Sequence, residues 1–156
     1  MKIKLVSVGT KMPDWVERGV EEYRRRFPAD FQFDVLEVPL VKRGKNPDMV
    51  RIMGREAQDL LQRVPPDDYL VAMDVQGKSL STEDLAASVD HIRQEGRNLS
   101  LLVGGPDGLD RECLQRADAR WSLSALTLPH PLVRVLIAEQ VYRVWSLLHQ
   151  HPYHRA

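Results

Sequence analysis

The stretch Trp121–Trp145, WSLSALTLPHPLVRVLIAEQVYRVW, restricts what this chain can fold into more than any other. It opens with strand alternation, Trp121 and Leu123 on one face and Ser122 and Ser124 on the other. The period is lost through Ala125, Leu126, Thr127 and Leu128, and Pro129-His130-Pro131 then punctuates the chain. Pro131 opens a long apolar helix. Proline is tolerated in a first turn, whose N–H groups lack intrahelical partners, and it drives the residue before it out of helical angles. The expected cap is therefore His130, between a strand end and a helix N-terminus, which is where open α/β sheets bind ligands.

One residue of this helix is out of place. At about 100° per residue, Glu139, Gln140, Arg143 and Ser146 share one side, and Ile137, Ala138, Val141, Tyr142, Val144, Trp145 and Leu148 the other. Arg134 points with the apolar set. It also lies in the first turn, where a cation opposes the helix dipole by about 0.3–1 kcal/mol. A charge set against both burial and dipole calls for an anion; otherwise the first turn projects past the core and Arg134 snorkels.

The chain ahead of this segment supplies the sheet. Ile3, Leu5, Val6 and Val8 form a buried strand ended by Gly9. Pro13, Asp14 and Glu17 start a helix that Arg24, Arg25 and Arg26 close, acids first and bases last as the dipole prefers. Phe31–Val38 alternates as a second strand, and Asn46 and Pro47 start a second helix that ends before Pro65 and Pro66. Tyr69–Val75 is a third strand turned by Gly77. Ser81 followed by Asp84 resembles a capping box. Leu99–Val103, apolar but for Ser100, reads as a central strand covered on both faces. A short helix through Cys113 and Leu114 leads back to Trp121. The order β-α-β-α-β-α-β-α-β-α predicts a mostly parallel α/β sheet in a single domain over residues 1–156.

Basic and acidic residues balance at 22 each, so this is no general polyanion binder. Nucleic-acid binding must come from local basic patches or from two copies placed side by side. The run Lys42-Arg43-Gly44-Lys45 is such a patch, either simply solvated or gripping phosphates. Cys113 is the only cysteine, which excludes an intrachain disulfide and a cysteine-cage metal site and fits a reducing compartment. MKIKLVSVGT reads as a first strand rather than a signal peptide, and no apolar run approaches membrane-spanning length, so a cytoplasmic protein with no membrane partner is expected.

Gly104-Gly105-Pro106-Asp107-Gly108 follows the central strand directly. It matches neither G-x-G-x-x-G nor a P-loop, since no Gly-Lys-Ser/Thr follows. It lets a flat ligand approach the backbone, as it would equally serve a tight turn. Its weight comes from Ser124–Pro129, which should end a neighbouring strand at the same sheet edge and make a pocket with it. His149, His151 and His154 form H-x-H-x-x-H without a carboxylate or cysteine, and Pro152 breaks any shared helical face, so no metal site is expected. The tail His151-Pro152-Tyr153-His154-Arg155 is dense in groups that stack, donate and titrate.

Taken together, VGTKMPDWV, RRFP, KRGKN, LLVGGPDGL, WSLSALTLPHPLVRVL, AEQVYRVWS and HPYHR resemble the RlmH family of SPOUT-class methyltransferases over the whole chain. Met73 stands where the family pattern has leucine, and Gln150 where asparagine often precedes the tail. The resemblance implies a Rossmann-like sheet with a C-terminal trefoil knot, a homodimer, and S-adenosylmethionine as methyl donor. It implies methylation of N3 of a pseudouridine in a stem-loop of bacterial 23S ribosomal RNA, on the assembled ribosome. The donor loops of the family fall on Met73, on Gly104 and Gly105, and on Leu123, Ser124, Ala125, Leu126, Thr127, Leu128 and Pro129. His130 or His154 is expected as general base, with Arg134 and Arg155 holding a phosphate or a developing imide anion and Tyr153 meeting the base. Lys42, Arg43 and Lys45 are the expected RNA contacts. The competing expectation is a non-enzymatic ribosome-associated RNA-binding module, which would bind no donor.

Overall fold

Strand β4 (Leu99–Val103) leaves the chain least choice: all five residues are buried, as a nearly all-apolar strand requires. Its one hydroxyl is satisfied by donation from Ser100 to the carboxylate of Asp68 at 2.7 Å, which also pairs with Lys4 at 2.8 Å. The computed structural model describes residues 1–155 and places β4 mid-sheet. Around it lie β1 (Lys2–Val8), β2 (Gln32–Val38), β3 (Tyr69–Ser79) and β5 (Ala119–Ser122), all parallel, in the order β2-β1-β4-β3-β5.

Helices cover both faces. On one side α5 (His130–Leu148) lies between α1 (Asp14–Arg24) and α3 (Thr82–Gln94), burying Ile137, Ala138, Val141 and Val144 with Val89 and Ile92. On the other, α2 (Met49–Leu61) and α4 (Arg111–Arg116) bury Ala57, Leu60 and Cys113 against Val6, Val8 and Leu102. Burial pushes the Cys113 thiol up to about 12, so it is inert. A 3₁₀ turn, Pro152–Arg155, ends the described chain. No described helix is long and apolar enough to cross a membrane, and the described residues contain no cluster of three or more potential metal ligands.

The local signals are met where the chemistry is local. Ser81 caps α3, its hydroxyl accepting from Asp84 N–H at 3.0 Å. Helix α2 starts at Met49, with Asp48 rather than Asn46 as the cap. Helix α5 starts one residue earlier than expected, so Pro129 is the cap and His130 the first helical residue. Both ends of that difference are within ordinary boundary ambiguity.

The larger difference is in β3. It does not end at Val75 but runs to Ser79, and both Met73 and Lys78 align with Trp121 of β5. Residues 74–77 are therefore an excursion from the ladder, a bulge that pushes Asp74 and Val75 out at the sheet edge. Gly77 permits the return: a Cβ there would lie 2.7 Å from the Arg120 carbonyl carbon. Gly77→Ala is expected to lower stability by about 1–3 kcal/mol, as overpacking does, and a urea denaturation midpoint checks it.

Candidate active site

Parallel strands deliver their following loops to one edge, and here the loops after β4 and β5, with the bulge within β3, enclose a cleft of about 580 Å³. The expected residues Met73, Gly104, Gly105, Leu123, Ser124, Leu126, Thr127, Leu128 and Pro129 line it together with His130; Ala125 is not on its walls. Asp74 and Val75 also line it. They escaped the sequence reading because the bulge that exposes them has no local signature beyond Gly77. Val103, Trp121 and Val133 add apolar wall. An adjoining hollow of about 400 Å³ between α3 and α5 is mostly aliphatic, and its polar groups Thr82 and Gln140 are bonded to each other at 2.9 Å.

Both loops hold their shape with backbone and hydroxyl groups. Ser122 donates to the Ser124 carbonyl at 2.9 Å, and the Ser124 hydroxyl accepts from Leu126 N–H at 3.0 Å. In the glycine turn Gly108 N–H donates to the Gly105 carbonyl at 3.0 Å, and Gly108 sits at φ +79°. A Cβ on Gly104 would lie 2.3 Å from the Gly108 carbonyl oxygen. Position 104 therefore accepts glycine only.

His130 stands at the end of the cleft nearest β1. Its Nδ1 is buried without a partner, and Gly9 packs so closely that a Cβ there would lie 3.2 Å from Cε1. Burial first, then the Arg134 charge, hold the imidazole below the usual histidine range. It is a neutral base at neutral pH. Arg134 itself is 2 % exposed and has found its anion in Glu37, an exposed residue of β2. It donates to Glu37 at 2.5 Å and to the Gly9 carbonyl at 2.7 Å, one bond from each terminal nitrogen, while Nε is buried without a partner. The snorkelling alternative is thereby excluded.

The other predicted groups lie apart from the cleft within this chain. Helix α5 has 19 residues, about 28 Å of axis, and the tail folds back along its C-terminal half, from Ser146 to Glu139. Ser146 donates to the His151 carbonyl at 2.8 Å and contacts His154 Nδ1 at 2.8 Å. Tyr153 donates to Glu139 at 3.0 Å; burial, then Tyr23 and Glu139, push its phenol up. Arg155 is exposed. In the basic loop Lys42 and Lys45 are exposed, while Arg43 is turned inward to Glu56 at 2.5 Å and Asp107 at 3.0 Å. The charge of Arg43 is thus already paired within the chain, unlike those of the two lysines expected to contact RNA with it.

The arrangement has known counterparts. A family model described as "Predicted SPOUT methyltransferase" matches residues 1–154. A protein of Chromohalobacter salexigens named "Ribosomal RNA large subunit methyltransferase H" is 55% identical over 155 residues, covering 99% of this chain and 100% of the relative. One of the same name from a Marinomonas species is 51% identical over 155 residues with the same coverage. Among solved structures, a probable methylase family protein from Haemophilus influenzae aligns with TM-score 0.57 at 9% identity, over 97% of this chain and 69% of the other. A putative methylase family protein from Neisseria gonorrhoeae aligns with TM-score 0.50 at 13% identity, over 90% and 81%. At such identities these two show the fold alone.

Two outcomes follow from the geometry around His130. An NMR titration should place its midpoint below 6.5, the ordinary imidazole value. Because the unfolded chain then binds a proton that the folded chain refuses, stability should fall as pH drops from 6.5 towards that midpoint. Arg134→Ala strips Glu37 and the Gly9 carbonyl of their partner and opens a cavity, a loss of about 2–4 kcal/mol; calorimetric melting should read it as several degrees.

Proposed function

The chain belongs to the SPOUT methyltransferase family, and we propose that it methylates N3 of a pseudouridine in a 23S ribosomal RNA stem-loop. In this reading residues 1–156 act as one cytoplasmic methyltransferase domain, as a homodimer on the assembled ribosome, with the C-terminal part of the chain threaded as a trefoil knot. The observation that carries it is the cleft where two backbone-lined loops meet a neutral, half-buried histidine.

The cleft suits S-adenosylmethionine. Its volume lies within the range of small-molecule sites, and its walls are largely apolar, with Leu123, Leu126 and Leu128 on one side and the glycines of the turn on the other. The donor supplies a methyl group on a positively charged sulfur. Met73, Gly104, Gly105 and the Leu123–Pro129 segment would hold it, and the rigidity of both turns keeps it aligned, which counts for much of the acceleration in an in-line transfer.

His130 takes the N3 proton, at Nε2, since Nδ1 is buried away from the cleft. Its burial and the Arg134 charge favour the uncharged form, and the residue lines the cleft. Arg134 serves at one remove: it depresses the imidazole and fixes the turn that carries it. Arg155 is then the cation for a phosphate or the developing imide anion, with Tyr153 and His154 meeting the base. None of these three lines the cleft of its own chain, so in this reading the tail of one subunit completes the cleft of the other. Lys42 and Lys45 of both subunits would contact RNA backbone, which reconciles an electrically neutral chain with a polyanionic substrate.

Mass spectrometry of ribosomal RNA nucleosides after incubation with donor tests the reaction, and absence of a methylated pseudouridine sinks it. His130→Ala should lower turnover about 10²–10⁴-fold. Deleting residues 153–156 should abolish turnover while donor binding persists. Mixing these two inactive proteins should restore part of the activity, because one site per mixed dimer joins an intact cleft to an intact tail. No restoration means the site is not shared.

A further inference from the structure

The sequence offers Arg43 as one of three basic residues in a solvated loop, and the structure gives it different company. All five of its N–H groups are engaged. Nη1 donates to the Val41 carbonyl at 2.6 Å and to Glu56 at 2.5 Å, Nη2 to Glu56 at 3.2 Å and to Asp107 at 3.0 Å, and Nε to Asp107 at 3.2 Å. None is left for a phosphate. Lys42 and Lys45 on either side remain exposed.

The two carboxylates differ in situation. Glu56 is 3 % exposed on the core-facing side of α2 and also accepts from Val41 N–H at 3.0 Å, so it anchors the guanidinium to the body of the protein. Asp107 is exposed at the apex of the glycine turn, between Pro106 and Gly108, both of which line the cleft. The turn has one internal backbone hydrogen bond, Gly108 to Gly105, and Arg43 ties its apex to the α2 side of the sheet. A planar fork is needed to bridge two carboxylates in this way; a lysine ammonium is a single point with no such span.

We propose that Arg43, acting through Asp107, is a positioning residue for the methyl donor: it sets the Gly104–Gly108 turn against α2 so that the cleft is formed before the donor arrives. RNA contact in this loop is left to Lys42 and Lys45. The inference rests on the methyltransferase reading above and adds to it the device that holds the donor turn.

Asp107→Ala is the informative variant, because Arg43 keeps its buried partner Glu56 and the fold is spared. Calorimetry with S-adenosylmethionine should show donor affinity weakened about fivefold to tenfold, the scale of one partly exposed charge-assisted contact. The donor KM should rise in step, while kcat at saturating donor and the KM for ribosomes stay near the native values. Asp107→Asn, which keeps an acceptor oxygen without the charge, should fall between. Arg43→Lys should weaken the donor similarly and also lower the melting temperature, since Glu56 loses its bidentate partner. Unchanged donor affinity in Asp107→Ala overturns the proposal, and a raised ribosome KM with unchanged donor affinity in Arg43→Lys makes Arg43 an RNA contact instead. A native protein that shows no heat with the donor sinks the methyltransferase reading itself, a separate result from either of these.

Discussion

Arg134 is the joint on which the site depends. From the first turn of α5 it reaches across to Glu37 at the end of β2 and to the carbonyl of Gly9 just past β1, so one guanidinium fastens a helix start to two strand ends. Only the guanidinium is buried, Glu37 being exposed, so the net stability gained is modest: the cation loses its water while the carboxylate keeps part of its own. What the pair supplies is a single allowed position. The Ser124–Pro129 segment ends where α5 begins, and His130 is the first residue of that helix, so fixing the first turn fixes both one wall of the cleft and the imidazole at its end. Burial holds that imidazole below the usual histidine range, and the same cation adds to the effect.

Much of the chain's polar chemistry serves such internal joints. Arg43 holds the glycine turn, Arg143 pairs with Glu139 at 2.6 Å, and Tyr153 adds its hydroxyl to the same carboxylate. On the helix surfaces Arg24 meets Glu21, Arg25 meets Glu22 and Arg93 meets Asp90, one turn apart. Pairs like these are worth little individually, but they cancel charge locally, while Lys42 and Lys45 stay exposed. The cleft, by contrast, carries little charge: glycines, hydroxyl-braced turns and apolar side chains shape it, which suits the proposed transfer, where alignment matters most.

The tail shows the limit set by geometry. Its stacking and hydrogen-bonding residues settle on the C-terminal half of α5, where Tyr142 and Tyr153 meet edge to face with centroids 4.8 Å apart and Ser146 is covered by His151 and His154. None of them lines the cleft of their own chain, which is why the proposed joint action calls for a second copy.

The sequence by itself determined the order of elements, the parallel sheet, the buried middle strand, the Ser81 cap and the placing of His130 at a strand–helix junction. Those depend on periodicity, caps and prolines, whose causes lie within a few residues of their effects. Only the tertiary structure decided which anion meets Arg134, 97 positions away at Glu37, and that Arg43 turns to Asp107, 64 positions on, instead of to solvent. It also decided that Glu56, a charge on a helix stripe of Ile52, Ala57 and Leu60, is buried, and that β3 bulges before rejoining β5. A lone residue type carries no address for a partner so distant; the address exists only once the sheet has brought strand ends and loops to one edge.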